Sequence, residues 1–353
     1  MFLRLLSLVA ASSLLFAAAS AQLLGYDFTI NSSSSGLTGE LNFSADTSGT
    51  LIGNWDPDAN ATGTRTKPGL SGSFGETENL PVNAWLTLGL NDDVDTDATG
   101  RFRMLVDLDS GVAIVMGFRA DYLGGQTLSI PATLTIRYDS FRTRQPSSIF
   151  VGGFPIPIPF GSVDVTVMEA AQNQPLAFGT VTPDGLGGYD VAVIVPTALT
   201  AEMTFLGNPL SLPGVPFAVP LVGKLAPNGS TATMQSQQPI TFGQEIEIGQ
   251  ALPQLPLDIP TILPPGSTAH LLFDLTLDRI VAGFDGSTQM NANGTFVLLG
   301  DVNLDGIVDD KDLAMVLEAY ALLGGGNPAD INLDGVVDDA DVTIVLMMFG
   351  AEG

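Results

Sequence analysis

The chain has no cysteine, a single histidine, two tryptophans, five tyrosines, and only 12 lysines and arginines in 353 residues. Without cysteine there is neither a disulfide framework nor a thiol nucleophile, so the fold rests on its apolar core and on any ions it holds. One histidine cannot build a multi-histidine metal site, and a histidine-based triad would have to use it. His270 lies in His270-Leu271-Leu272-Phe273-Asp274-Leu275, an alternating pattern that reads as strand. No Gly-x-Ser-x-Gly elbow is present. The 12 basic residues face 38 acidic ones, a formal charge of −26, which argues against nucleic acid and anionic membranes as partners. The scarcity of tryptophan and tyrosine argues against a long sugar-stacking cleft, although Trp55 and Trp85 would suffice for one small platform. After residue 21 no apolar run is long enough to span a bilayer.

What is present starts with an export signature. Arg4 precedes an apolar run from Leu5 to Ala19, interrupted by Ser12 and Ser13, and Ala19-Ser20-Ala21 stands before Gln22. This is the pattern of a cleaved secretory signal over residues 1–21, and it predicts a secreted or cell-surface protein.

The C-terminal end carries one twelve-residue pattern twice. Asp301, Asn303, Asp305, Asp309 and Asp312 recur as Asp330, Asn332, Asp334, Asp338 and Asp341, with Gly306 and Gly335 at the sixth place. Calcium prefers six to eight oxygens, and alternate side chains at the first, third and fifth places, a turn-permitting glycine and a carboxylate at the twelfth supply them. The carbonyls of Ile307 and Val336 stand at the seventh place, where such loops donate a backbone oxygen. Asp309 and Asp338 are placed to act through a water, and the closing Asp312 and Asp341 are shorter than the usual glutamate. Residues 301–353 hold twelve acids against one base, a net of −11, so two calcium ions would relieve much of the local repulsion.

After each loop, Leu313, Val316, Leu317 and Tyr320 map onto Val342, Val345, Leu346 and Phe349 at helical spacing. Before each loop, Asn291-Ala292-Asn293-Gly294-Thr295 and Gly324-Gly325-Gly326-Asn327-Pro328 exclude an entering helix. Over residues 298–353 the chain therefore resembles a dockerin type I module, in which tandem calcium loops each carry only an exiting helix. That resemblance implies a small helical module, two bound Ca2+ ions on the residues named above, and docking to a cohesin-like module, with partner-selecting positions late in each loop at Asp310-Lys311 and Asp339-Ala340. It also implies a setting of polysaccharide breakdown. Leu304 and Leu333 depart from it, standing where the family often has glycine. The other reading of the tail is a calcium-stabilised cap or sorting element.

Residues 22–297 read as β throughout, giving an antiparallel sandwich or barrel of one or two subdomains, with any division near residues 160–185. Phe102–Leu108, Thr133–Tyr138 and Val163–Val167 alternate as half-buried strands, and Asp109-Ser110-Gly111 and Pro183-Asp184-Gly185 are hairpin signals. Phe154–Phe160 and Pro213–Pro220 are proline-punctuated and cannot sit in a central strand. They are read as loops packed on the core, with edge or lid segments over the apolar interior, or a lipid or glycan port, as the other readings. Asp93, Asp95 and Asp97 suggest a solvated hairpin tip more than a third calcium site.

No catalytic residue is assigned. The chemistry left open is glycoside hydrolysis by paired carboxylates roughly 5 to 10 Å apart, for which Glu169, Glu202, Glu245 and Glu247 are the acids on strand patterns. The expected function is calcium-dependent attachment to a protein partner or the cell surface. The alternative is a glycoside hydrolase or carbohydrate-binding accessory protein, with polysaccharide as a partner.

Overall fold

The computed structural model describes residues 23–353 apart from 54, 64–65, 69–79, 144–148, 206, 262, 264 and 324–326. The export signature and the Gly324-Gly325-Gly326 run lie outside the described residues. The strands are β1 (Leu23–Ile30), β2 (Gly36–Ile52), β3 (Thr66–Pro68), β4 (Val82–Asp95), β5 (Thr99–Asp107), β6 (Val112–Asp121), β7 (Leu128–Tyr138), β8 (Phe141–Thr143), β9 (Ile149–Phe150), β10 (Ile156–Gln172), β11 (Ala177–Pro183), β12 (Tyr189–Phe205), β13 (Asn208–Asn228), β14 (Thr231–Pro260) and β15 (Thr268–Phe296). Helices α1 (Asp310–Glu318) and α2 (Asp339–Met348) follow. The chain is thus mainly β and antiparallel, and the C-terminal module has just two short helices set among its loops.

Twelve strands form one sheet whose extra pairings turn it into circuits. The ladder β1-β5-β6-β11-β12-β13-β14-β15 returns to β1 and closes a barrel end. It is filled by Phe28, Phe102, Phe118, Val193 and their neighbours, with Phe28 stacked on Phe102 at 4.8 Å between ring centroids. A second compartment is walled by β2, β4, β7 and β10 together with the far ends of the β12/β13 and β14/β15 hairpins, and holds Leu51, Ile136, Tyr138 and Phe273. Each core draws residues from both sides of the 160–185 segment. An eight-strand circuit leaves an interior just wide enough for side chains or one slender ligand.

Both hairpin signals close as read. Asp107 Oδ1 accepts from the amides of Asp109 and Ser110 between β5 and β6, and Asp184 Oδ1 accepts from Leu186 and Gly188 between β11 and β12.

Two expectations change. The run from Asp93 to Asp97 is no hairpin tip: β4 continues through Asp95 paired to Thr38 of β2, with Val94 buried between exposed Asp93 and Asp95, and then crosses to β5. The alternation of acid and valine was a strand signal, and the charges are simply its solvent side. The proline segments are edge strands, one of the readings left open for them, rather than loops. Pro157 and Pro159 pair with β7, and Pro216 and Pro220 pair with β12. Among the described residues these stretches have a partner on one side only, and prolines an even number of residues apart put their missing N–H on that open side.

The strand pair β5/β6 is buried on both faces. Phe102, Met104 and Val106 point into the barrel, while Leu105, Ile114 and Met116 point outward into a third core with Leu299, Val302, Val308, Val316, Ile331, Val345 and Met348. The C-terminal module is therefore seated on the outer wall of the barrel.

Candidate metal centre

Each loop is shaped by its own acids. In the first, Asp301 Oδ1 accepts from the Asp305 amide at 3.1 Å and Oδ2 from Gly306 at 2.9 Å, while Asn303 Oδ1 accepts from Asp305 at 2.7 Å. Asp312, fully buried, accepts from the Val302 and Asn303 amides through Oδ1 and from Asp309 through Oδ2. The second loop repeats this, with Asp341 Oδ1 accepting from Ile331 at 2.7 Å and Asn332 at 3.0 Å and Oδ2 from Asp338 at 2.9 Å. Asp309 and Asp338 cap α1 and α2, each completing a reciprocal capping box with the acid three residues on. The twelfth-place aspartates thus staple the loop's start to the helix's first turn. Gly306 and Gly335 take φ of +90° and +97°, and Leu304 and Leu333 sit at +62° and +61°, a left-handed conformation in which glycine is the cheaper residue.

The two halves embrace. Val308 donates to Ala351 and Gly353 to Gly306, so the first loop bridges the chain beyond α2; Ala321 donates to Val337 and Val337 to Leu322, so the second bridges the chain beyond α1. Both seventh-place residues lie in these bridges, Ile307 with Glu352 and Val336 with Leu323.

The loops differ in charge. Lys311 Nζ reaches Asp305 at 3.1 Å and Asp309 at 3.3 Å, and its hydrogen bond holds the Asp305 carboxyl below the usual range. Ala340 occupies the equivalent place in the second loop, so no side-chain cation is supplied there. Burial, followed by the charge of Asp334, pushes Asp330 up, and burial is likewise the main cause that raises Asp341. Asp330 Oδ1 is buried with no hydrogen-bond partner, the only carboxylate oxygen so placed among the described residues. An unpaired buried carboxylate oxygen beside further acids is chemically suited to a hard cation. Among the described residues no three His, Asp or Glu side chains are already gathered into a ligand cluster, since most of these oxygens are turned onto amides.

The second loop makes a polar contact with the barrel. Arg103 Nη1 donates to the Ile331 carbonyl at 2.7 Å, with its Nε 3.7 Å from Asp27. Gly117 forms a bulge in β6 opposite Phe102, at φ +57°. A Cβ there would lie 2.7 Å from Leu333 Cβ and 2.8 Å from the Asn332 carbonyl. Gly117→Ala combines left-handed strain with a backbone clash and is expected to weaken seating of the module by about 2 to 3 kcal/mol. Hydrogen exchange should then quicken in residues 298–353 and in β5/β6; unchanged protection in both would refute the seating role of this glycine.

The expected apolar helix faces are only half correct. Val316 and Val345 are buried, joined by Ile344 and Met348, but Leu317 and Leu346 are 54% and 55% exposed, and Tyr320 and Phe349 are 44% and 53% exposed. Periodicity marked one stripe per helix, and only part of each stripe enters the third core, the rest facing solvent. Tyr320 Oη donates to Asp339 at 2.7 Å, tying the end of α1 to the start of α2.

Of the four glutamates singled out on strand patterns, two are held by arginines and two are exposed. Glu169 is ion-paired with Arg119 at 2.7 Å; Glu202, on the neighbouring strand, is exposed. Glu245 and Asp46 share Arg279 at 2.7 and 2.6 Å, and Glu247 is exposed. His270 Nδ1 lies 2.7 Å from Asp258 on the exposed side of the β14/β15 ladder. Trp85 lines a polar groove of about 380 Å³ with Asp46 and Asp278, but the Arg137 guanidinium covers one face of its ring at 4.9 Å.

No family model matches the sequence, and no curated protein matches it. Among solved structures, the chain is 10% identical to the secretin InvG of the Salmonella SPI-1 type III secretion injectisome, covering 83% of this chain and 65% of that one at a TM-score of 0.20. It is 9% identical to the type II secretion secretin XcpQ of Pseudomonas aeruginosa, covering 82% and 63% at 0.16, and 9% identical to the V. cholerae type IV competence pilus secretin PilQ, covering 80% and 65% at 0.17. The chain thus spans less than two thirds of these secretins, and scores this low establish no shared fold. Among the described residues no helix is long and apolar enough to cross a membrane.

Proposed function

We propose that this is an exported calcium-binding protein whose C-terminal half-hands take up two Ca2+ ions and attach the barrel to a cohesin-like protein module or a cell-surface component. The ions would be held by Asp301, Asn303, Asp305, Asp309, Asp312 and the Ile307 carbonyl, and by Asp330, Asn332, Asp334, Asp338, Asp341 and the Val336 carbonyl. The carrying observation is the repeated exposed apolar pair, Leu317 with Tyr320 and Leu346 with Phe349, left uncovered while Val316, Ile344, Val345 and Met348 are buried in the third core. Matching apolar positions on both repeats are what a partner recognising this module would use.

The test is capture of proteins from the medium of the producing cells on immobilised full chain, with CaCl2 or with EGTA, alongside a Leu317→Asp/Leu346→Asp variant. Calcium-dependent capture of one species by the native chain, lost in the variant, is the expected result. Equal capture in EGTA would sink the proposal.

A further inference from the structure

The outer face of the strands β15, β2, β4, β7 and β10 carries the polar groove of about 380 Å³ that Trp85 lines. Its floor follows from register. Asp46, Thr87 and Thr135 stand side by side across β2, β4 and β7, and in the next outward row Trp85 stands between Ser48 and Arg137. Pro155 bounds the groove towards β10 and Asp278 towards β15. Asp278 is the extra residue of a bulge: Leu277 faces Thr47 and Arg279 faces Asp46, so Asp278 has no partner across the ladder to β2. Bulges re-aim a side chain and recur beside binding sites.

The charged groups of the groove differ in what they already hold. Asp46 is fixed, its Oδ2 accepting from Arg279 at 2.6 Å and its Oδ1 from Thr87 Oγ1 at 3.4 Å. Asp278 has neither ion pair nor hydrogen bond among the described residues, and Arg137 has only its ring contact with Trp85. A carboxylate that accepts and a guanidinium that donates, beside two threonine hydroxyls, suit a ligand rich in both donors and acceptors. They also suit a ligand without charge, because an anion would meet Asp46 and Asp278 and a cation would meet Arg137. Trp85 is 37% exposed. Arg137 reaches it from β7 and covers the ring face turned that way; the face turned to β2 meets Ser48, too small a side chain to cover an indole.

We propose that this groove binds one neutral pyranose ring of a glycan, its C–H face laid on the β2 side of Trp85 and its hydroxyls donating to Asp278 and accepting from Arg137. Sugar C–H groups carry partial positive charge and meet the negative face of the indole. The volume is more than twice the roughly 150 Å³ that accommodates a benzene ring, which leaves room for a six-membered ring with its hydroxyls. A few fixed polar groups around an aromatic anchor orient such a ligand. No residue of the C-terminal module lines the groove, so the site stands independently of calcium-dependent attachment.

The experiment is calorimetric titration of the full chain with cellotetraose, mannotetraose and xylotetraose, with tetragalacturonate as the anionic probe and the glucosamine tetramer as the cationic one. Saturable millimolar binding of a neutral tetraose is expected, with both charged probes weaker, and with equal heats in EGTA and in CaCl2. Trp85→Ala should remove the heat, and Asp278→Ala should weaken the neutral ligand about tenfold. Neither side chain belongs to a core, so the β circular dichroism signal should be unchanged in both variants. Glu247→Ala, an exposed acid outside the groove, should bind as the native chain does. No saturable binding of any neutral tetraose, tighter binding of a charged one, loss of binding in EGTA, or neutral binding unchanged by Trp85→Ala would each overturn the proposal. Co-sedimentation with the insoluble polymer of the tetraose that binds separates the two sources: co-sedimentation assigns the site to a polysaccharide surface, and tetraose binding without it assigns the site to released oligosaccharides.

Discussion

Asp341→Ala is expected to destabilise the C-terminal module by about 4 kcal/mol while leaving the barrel folded. The side chain is fully buried and its two oxygens accept three backbone amides, from Ile331, Asn332 and Asp338. Hydrogen bonds to a charged group contribute about 1.5 to 3 kcal/mol each, and water entering the site recovers only part of three such losses. The effect should spread, because Ile331 is the residue whose carbonyl Arg103 holds and whose side chain fills the module-barrel core. Urea unfolding followed at the helical circular dichroism band should therefore show an early transition for residues 298–353, separate from that of the β signal. Asp310→Ala is the control, an exposed first-turn acid whose loss should cost under about 1 kcal/mol. If the two variants unfold alike, the aspartate staple does not hold the module together.

The parts of this architecture written as period were legible in the sequence. Alternation marked β5, β7 and β10, turn chemistry marked Asp107 to Gly111 and Asp184 to Gly188, and the spacing of acids located both loops and the helices that follow. What escaped was set by partners distant in the chain. Leu105, Ile114 and Met116 make β5 and β6 nearly continuous apolar runs, the sign of a strand covered on both faces, and the cover comes from residues almost two hundred positions later. Period also does not tell which part of each helical stripe enters the third core and which remains exposed, as at Leu317 and Leu346. Prolines read as strand breakers because a central strand must donate on both sides; Pro157, Pro159, Pro216 and Pro220 need donate on neither, since each stands where its strand has one partner. Gly117 gave no sequence signal at all, being one of 40 glycines, and its role exists only because Leu333 arrives against it.

Calcium should reverse the pH dependence of the module's stability, and this separates metal binding from mere packing. Without metal, Asp330 and Asp341 hold their protons more tightly folded than unfolded, with burial as the first cause in both. A raised folded pKa means that the stability these groups contribute is present below the unfolded value, about 3.8, and is lost as pH rises through the folded one. In EGTA the second loop should therefore weaken as pH rises from below about 3.8 through the raised range of these two carboxyls. The first loop opposes this through Asp305, whose depressed pKa contributes stability that is present above the unfolded value and lost only as the solution turns acid. Lys311 already stands beside that carboxylate as a tethered cation, so the second loop, with Ala340 in its place, has more to gain from an ion. Calcium binds ionised carboxylates, so at about one hundred times its dissociation constant each site would add about 2.7 kcal/mol at neutral pH, and less as acid protonates the ligands. Calorimetry of the full chain at several pH values should show the module's transition falling with pH in EGTA and rising with pH in CaCl2. Asp330→Asn should flatten the first trend and reduce the second. A transition indifferent to calcium at neutral pH would leave two aspartate-stapled loops that hold the tail to the barrel without any ion.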